Sequence, residues 1–518
     1  MKHYQMLKLV IATSVFPLLV ASMAFPLITG LPNICMEIDL AMIELYTRNA
    51  MEGNQSVGMY SRFGWNHLGP IYFYLLTPIY VLAKQSASSL LWAALLINTA
   101  CALLLFLIIF NTGKKDVVFA KCASILLAFL FLYVGIVRLA SPWPPWAIVL
   151  PFALFMQTTA VFAEGRTSYF PAILVLGSLI IQIHIGTGPT VLFMTGIACV
   201  LCALACRTWY LDVRNIVLGF AALCAMWFLP LMEQINGEPG NLSKVLAFFT
   251  QSSHSASLTD SVYAVAIPIT WFPLGILRKF VLDIPAFEFE LLSVILAFAQ
   301  VAGLIVVFIV TTRREANLRS KTAMIGIVAV LSALWSASRI EGDIFGYLLF
   351  WVSSIGFLNS ALIMTEVYEY LGMRTWCSIP RTQIAVLSIS IFLAIVSTSL
   401  FLKCPLPEDS VKIRMLSEAL ITHLKDNGIK RPVFLFNWGH WTTDSAIILQ
   451  LHKRNISFAA RNLYEHHGSN WPLLLGRNYR PSVEDNYYVF VEKYSTADRP
   501  GYHQVAAFGD TRLLVKKE

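Results

Sequence analysis

Residues 89–110 read SLLWAALLINTACALLLFLIIF, twenty-two positions without a charge. At 1.5 Å per residue a helix of that length crosses about 30 Å, the thickness of the hydrocarbon core of a bilayer. A buried helix in a water-soluble protein would seldom lack a polar face. The stretch is typical of the chain, which over 518 residues is 57% hydrophobic and only 13% charged, with a mean hydropathy of +0.66. A soluble chain would be about one-quarter charged, so most of this protein belongs in lipid. The net charge of +8 raises the question of nucleic acid. Its Lys and Arg residues are scattered over short loops and the tail rather than gathered in a stripe, and no nucleic-acid partner is expected.

Outward from residues 89–110, hydropathy and the distribution of basic loops place about eleven transmembrane helices. They fall near 8–31, 89–110, 117–138, 145–163, 168–184, 186–206, 213–234, 288–311, 320–338, 344–367 and 382–402. The N-terminus begins like a signal peptide, but its apolar run is longer than usual and no small-x-small cleavage site follows. It is therefore read as a retained first helix starting in the cytoplasm. Basic loops at 113–115, Arg166, Arg207 with Arg214, 313–314, and Arg374 with Arg381 then all fall on the cytoplasmic side. This arrangement requires that 71–83 and the Pro- and Trp-interrupted 262–277 stay interfacial or re-entrant. Six cysteines (Cys101, Cys122, Cys199, Cys202, Cys206, Cys224) lie in apolar spans, where they pack as small hydrophobes. Cys35 and Cys404 both fall near the outer surface, where a disulfide would need their Cα atoms within about 7 Å.

After Cys404 the composition becomes that of an ordinary soluble protein, with Pro405 and Pro407 at the joint. An amphipathic helix at 409–427, a strand at 432–437, a helix from Asp444 to Asn455 and strands YYVFVEKY and TRLLVKK predict a small α/β domain. The expected organisation is thus an all-α polytopic membrane domain at 1–402, with an extracytoplasmic first loop at 32–88, and a soluble extracytoplasmic α/β domain at 405–518.

The first loop, EIDLAMIELYTRNAMEGNQSVGMYSRFGWNHLGPIYFYLL (37–76), carries the densest chemistry. Glu37, Asp39, Glu44, Arg48, Arg62 and His67 crowd beside the membrane, where an uncompensated charge is costly. Glu44 and Arg48 stand at i and i+4 and could pair on one helix face; Asp39 could serve as an N-cap before a helix at 40–51. Further polar groups fall on the same side: Gln182 and His184 at a span end, Glu233, Gln234 and Asn241 around a GEPG turn, and Arg339, Glu341 and Asp343 in another turn. Polar groups at one membrane level predict a cavity there. No zinc-ligand spacing, Walker A loop or GxGxxG loop appears, so no cofactor is expected, although a divalent metal stays open.

An outside loop that follows the first helix, opens with an acidic residue (Asp39) and closes with the aromatic-rich NHLGPIYFYLL resembles the GT-C class of membrane glycosyltransferases. The resemblance covers roughly residues 1–402. It extends to protein mannosyltransferase-like and lipid A aminoarabinose transferase-like members. With SPWPPW (141–146), IQIHIG and EQINGEPGNL, the YSRFGWNHLGPIYFYLL stretch is also similar to a group of uncharacterised bacterial proteins placed in that class. The resemblance implies inverting transfer of a sugar from a polyprenyl-phosphate donor to an envelope glycan, lipid or protein acceptor at the outer face of the bacterial inner membrane, with Asp39 as general base. Substrate contacts are then expected from Glu44, Arg62, His67, Gln182, His184, Glu233, Asn241, Arg339 and Glu341. The chain departs from the class pattern in two places: SPWPPW lacks a second acidic residue, and His67-Leu68-Gly69-Pro70 replaces basic-Pro-Pro. A transporter or lipid flippase, or a non-catalytic subunit of a polysaccharide assembly machine, is the alternative; the first would want mid-membrane charges and inverted repeats, the second would tolerate loss of Asp39.

Overall fold

The computed structural model describes residues 36–372 and 408–517, apart from Glu37, Arg62, 113–115, 207–212, 252–255, Leu282, Arg431, 437–440, Ser457, 463–486, 494–499 and Asp510. The expected spans at 8–31 and 382–402, and Cys35 and Cys404, lie outside the described residues. The membrane part runs through α1 (Ile38–Met51), α2 (Ile71–Leu82), α3 (Ser88–Thr112), α4 (Val117–Val134), α5 (Pro144–Ala163), α6 (Phe170–Ile183), α7 (Gly188–Ala205), α8 (Val213–Asn236), α9 (Asn241–Gln251), α10 (Leu258–Ile269), α11 (Ala286–Arg313), α12 (Asn317–Ser338) and α13 (Ser353–Tyr370). Among the described residues seven helices are long and apolar enough to cross a bilayer. All seven coincide with spans read from hydropathy. The protein is a multi-pass membrane protein.

At the centre stands α5, whose residues Val149–Ala163 are all buried. It packs against α3, α6, α7, α12 and α13. Thr158 and Thr159 would be costly in that apolar interior, but each hydroxyl donates to the carbonyl four residues back, at 2.7 Å. At the periphery the rule inverts, and Ile295, Phe298 and Val306 on α11 and Val217 and Phe220 on α8 are exposed. Such faces suit lipid as their solvent.

Four elements depart from simple spans. The expected span at 168–184 is shorter than a full crossing, its α-helix α6 having fourteen residues. The expected span at 117–138 ends its helix at Val134, because Gly135 takes φ +83°; α2 has twelve residues, about 18 Å, too short to cross. The 262–277 segment is α10 followed by Trp271–Lys279, bent by 79°. This bend lies hard against α13, where a Cβ at Gly356 would come within 2.1 Å of the Ile269 carbonyl oxygen.

One end of the bundle is fastened by charge. Arg319, at the start of α12, donates to Asp116, which caps α4, and to Glu366 (2.7 Å) and Glu369 (2.9 Å) at the end of α13. Arg314 also reaches Glu366, at 3.3 Å. Past the opposite end of α12, Arg339 faces the same cavity as Asp39.

The C-terminal domain comprises α14 (Glu408–Asp426), β1 (Val433–Phe436), α15 (Trp441–Lys453), β2 (Ala459–Asn462), β3 (Tyr487–Lys493), β4 (His503–Phe508) and β5 (Thr511–Lys517). Its sheet has the order β2-β1-β3-β5-β4, with β1 parallel to β2 and β3 and with β5 antiparallel to β3 and β4. The expected helices and strands are present, and β2 and β4 are additions. The α15 helix lies against α1, joining this domain to the first loop.

Candidate functional site

Asp39 lies in the first turn of α1, inside the helix rather than at its N-cap, which corrects the capping alternative. An acidic residue suits that turn because the helix N-terminus is partly positive. Its carboxylate is held from elsewhere: Tyr60 Oη donates to Oδ1 at 2.5 Å and Trp143 Nε1 to Oδ2 at 2.8 Å. Trp143 comes from SPWPPW, so the turn that lacks a second carboxylate supplies an indole N–H to the first.

Tyr60 reaches Asp39 because residues 57–68 fold back on themselves. Gly58 N donates to His67 O at 2.9 Å, His67 N donates to Met59 O at 2.7 Å, and Tyr60 pairs with Asn66. Glycine is required at position 58, where a Cβ would lie 2.8 Å from His67 O. Asn241 clamps the fold by accepting from Asn66 N and donating to Asn66 O, both at 2.8 Å, while its own N–H donates to Glu233 Oε2 at 2.8 Å. Of these two expected substrate contacts, Asn241 therefore holds the loop's backbone and Glu233 holds Asn241, and neither lines the cavity.

His67 and His184 stack with ring centroids 5.3 Å apart. Ile185 N–H donates to His67 Nδ1 at 3.2 Å, which puts the proton of a neutral His67 on Nε2. Burial, with His184 alongside, holds His67 well below the ordinary histidine range. Gln182 is buried two residues before His184, its Nε2 donating to Met226 O at 3.0 Å. It packs against Gly69, away from the cavity.

Asp39, Tyr60, His67, Trp143, His184, Arg339 and Glu341 line one cavity of about 1370 Å³. Most of the remaining wall is apolar, including Trp65, Leu192, Phe193, Phe248 and Trp335. That volume exceeds the 300–1,000 Å³ usual for small-molecule pockets. Arg339 is exposed at the wall, its guanidinium 5.3 Å from the Trp335 ring centre. Arg62 lies outside the described residues. Glu44 and Arg48 do not pair with each other, and neither lines the cavity; Glu44 binds Lys453 and Arg48 binds His452 across the domain boundary. The i,i+4 pairing loses to these partners because α15 presents a cation and a ring nitrogen to the same face. Among the described residues no group of three or more His, Cys, Asp or Glu side chains is placed to hold a metal ion. Sequence reasoning missed Tyr60, Trp143, Trp335 and Lys453. Of these only Trp143 carried a signal, the Pro-Trp turn.

A polytopic helical bundle of this kind, with a short first-loop helix, an aromatic cavity at one end and a C-terminal α/β domain, has the GT-C-type fold. Two crystal structures of ArnT from Cupriavidus metallidurans share it. The one bound to undecaprenyl phosphate is 12% identical, covering 98% of this chain and 97% of that one with a TM-score of 0.53; the apo one is 13% identical, covering 97% and 98%, also with a TM-score of 0.53. No protein-family model matches the chain, and comparison of its sequence with curated proteins finds no match.

Proposed function

We propose that this protein is an inverting membrane glycosyltransferase that moves a sugar from a polyprenyl-phosphate donor to an envelope acceptor at the extracytoplasmic face of the bacterial inner membrane. The observation that carries this reading is Asp39, a doubly hydrogen-bonded carboxylate on the wall of a cavity too large and too apolar for a sugar alone. An ArnT structure of like fold holds undecaprenyl phosphate, a ligand of the chemistry this cavity suits. In the proposed step the acceptor hydroxyl loses its proton to Asp39 as its oxygen attacks the anomeric carbon. The bond from that carbon to the phosphate oxygen breaks, and polyprenyl phosphate leaves. Tyr60 and Trp143 hold the carboxylate in one orientation. Arg339 and the Nε2–H of His67 supply charge and a donor for the departing phosphate, while Leu192, Phe193 and Trp335 receive the prenyl chain.

The test uses the full chain in nanodiscs with radiolabelled polyprenyl-phosphate sugars extracted from bacterial membranes. The reading predicts binding of undecaprenyl phosphate and release of that lipid as the label moves to an envelope extract. A chain that binds the lipid yet never cleaves the sugar would favour the non-catalytic subunit. Movement of intact donor between leaflets would favour the flippase.

A further inference from the structure

Glu44 is a carboxylate with no exposed surface, on the same helix as Asp39. Its Oε1 accepts from Tyr80 Oη at 2.8 Å and from Lys453 Nζ at 2.6 Å, and its Oε2 is buried without a partner. One turn on, buried Arg48 donates to His452 Nδ1 at 3.0 Å and to Gln85 Oε1 at 2.5 Å. Its guanidinium flanks the same Tyr80 hydroxyl. One carboxylate therefore binds Lys453 directly and meets Arg48 only across the Tyr80 hydroxyl, at the contact between α1 and α15.

Five residues of α-helix turn through about 500°, so Asp39 and Glu44 point roughly 140° apart around α1. Tyr60 and Trp143 grip one side of the helix and Lys453 grips the other. The apolar residues between, among them Met42 and Ile43, are buried and set the depth of the helix, but non-directional contacts fix its rotation poorly. We propose that Glu44 and Lys453 are positioning residues: through them the C-terminal domain sets the rotation of α1 that aims Asp39 into the cavity. This inference rests on the glycosyltransferase reading for its catalytic part and on the interface alone for its mechanical part.

Charge counting orders the variants. Lys453→Met leaves Glu44 only the Tyr80 hydroxyl, which Arg48 also flanks; Glu44→Gln leaves two cations at the contact with no anion between them, and is the more damaging. Hydrogen exchange on the full chain in nanodiscs should show faster exchange of residues 38–51 in Lys453→Met, with residues 413–424 and 511–515 protected as in wild type. With the labelled polyprenyl-phosphate donor, kcat should fall about tenfold at unchanged KM, Glu44→Gln should fall further, and Lys453→Arg should stay near wild type. Wild-type exchange and kcat in Lys453→Met would overturn the proposal, as would a raised KM at unchanged kcat, which would make the domain a substrate holder. If the wild-type protein transfers no sugar, the functional reading fails and the exchange of residues 38–51 still decides the latch.

Discussion

Each oxygen of the Asp39 carboxylate takes one strong donor, Tyr60 on one side and Trp143 on the other, so removal of either should loosen its aim without unfolding the site. Trp143→Phe keeps the ring contacts with Trp146 (5.4 Å) and Tyr347 (5.1 Å) while deleting the N–H. The expected cost is about 1.5–3 kcal/mol of stability, the range for a hydrogen bond to a charged group. Transfer should fall about tenfold, as melting and initial rates would report. His67 gives a pH signature. Its folded-state pKa is depressed by burial and by His184, so below the ordinary value of about 6.5 the unfolded chain binds a proton that the folded one refuses. Stability should be full above that pH and fall as pH drops below it, and His67→Gln should flatten the fall in melting temperature. At this scale the sequence showed Asp39 and the histidines but not their partners. Tyr60 is 21 positions from Asp39 and Trp143 is 104, and neither separation has a periodicity to read.

The elements of the membrane domain were legible because an apolar run long enough to cross lipid has few alternatives to a helix. Their interruptions were less so. Gly135 ends α4 by taking a positive φ, which hydropathy does not register. In the soluble domain β4 escaped because HQVAAF leaves all six of its residues partly or largely exposed on no alternating pattern. The first loop depends on a close approach between elements: a Cβ at Gly69 would lie 2.1 Å from Gln182 Oε1. Gly69→Ala must therefore displace the buried Gln182 side chain or push α2 from α6, with an expected loss of about 1–3 kcal/mol for overpacking. Gln182→Ala in the same chain should recover part of it. Chemical denaturation in detergent would measure both.

At the scale of the whole molecule, charge fastens two places among the described residues: the Arg319 cluster at one end of the bundle and the Glu44–Lys453 contact at the other. Arg319→Met would leave Asp116, Glu366 and Glu369 facing one another, and the cost of uncompensated buried charge is about 3–5 kcal/mol. Unfolding of that variant should show a loss of this size, with Asp116→Asn losing less. The sequence hid these fastenings because their partners are distant, 203 residues for Arg319 with Asp116 and 409 for Lys453 with Glu44. The central claim is that Asp39 removes the acceptor's proton. Asp39→Asn keeps the size and one hydrogen-bond acceptor but not the base. The most direct measurement is its single-turnover transfer rate with undecaprenyl-phosphate-linked sugar already bound. The account predicts a rate reduced by about 10²-fold or more, with donor binding and melting near wild type; a wild-type rate would contradict it.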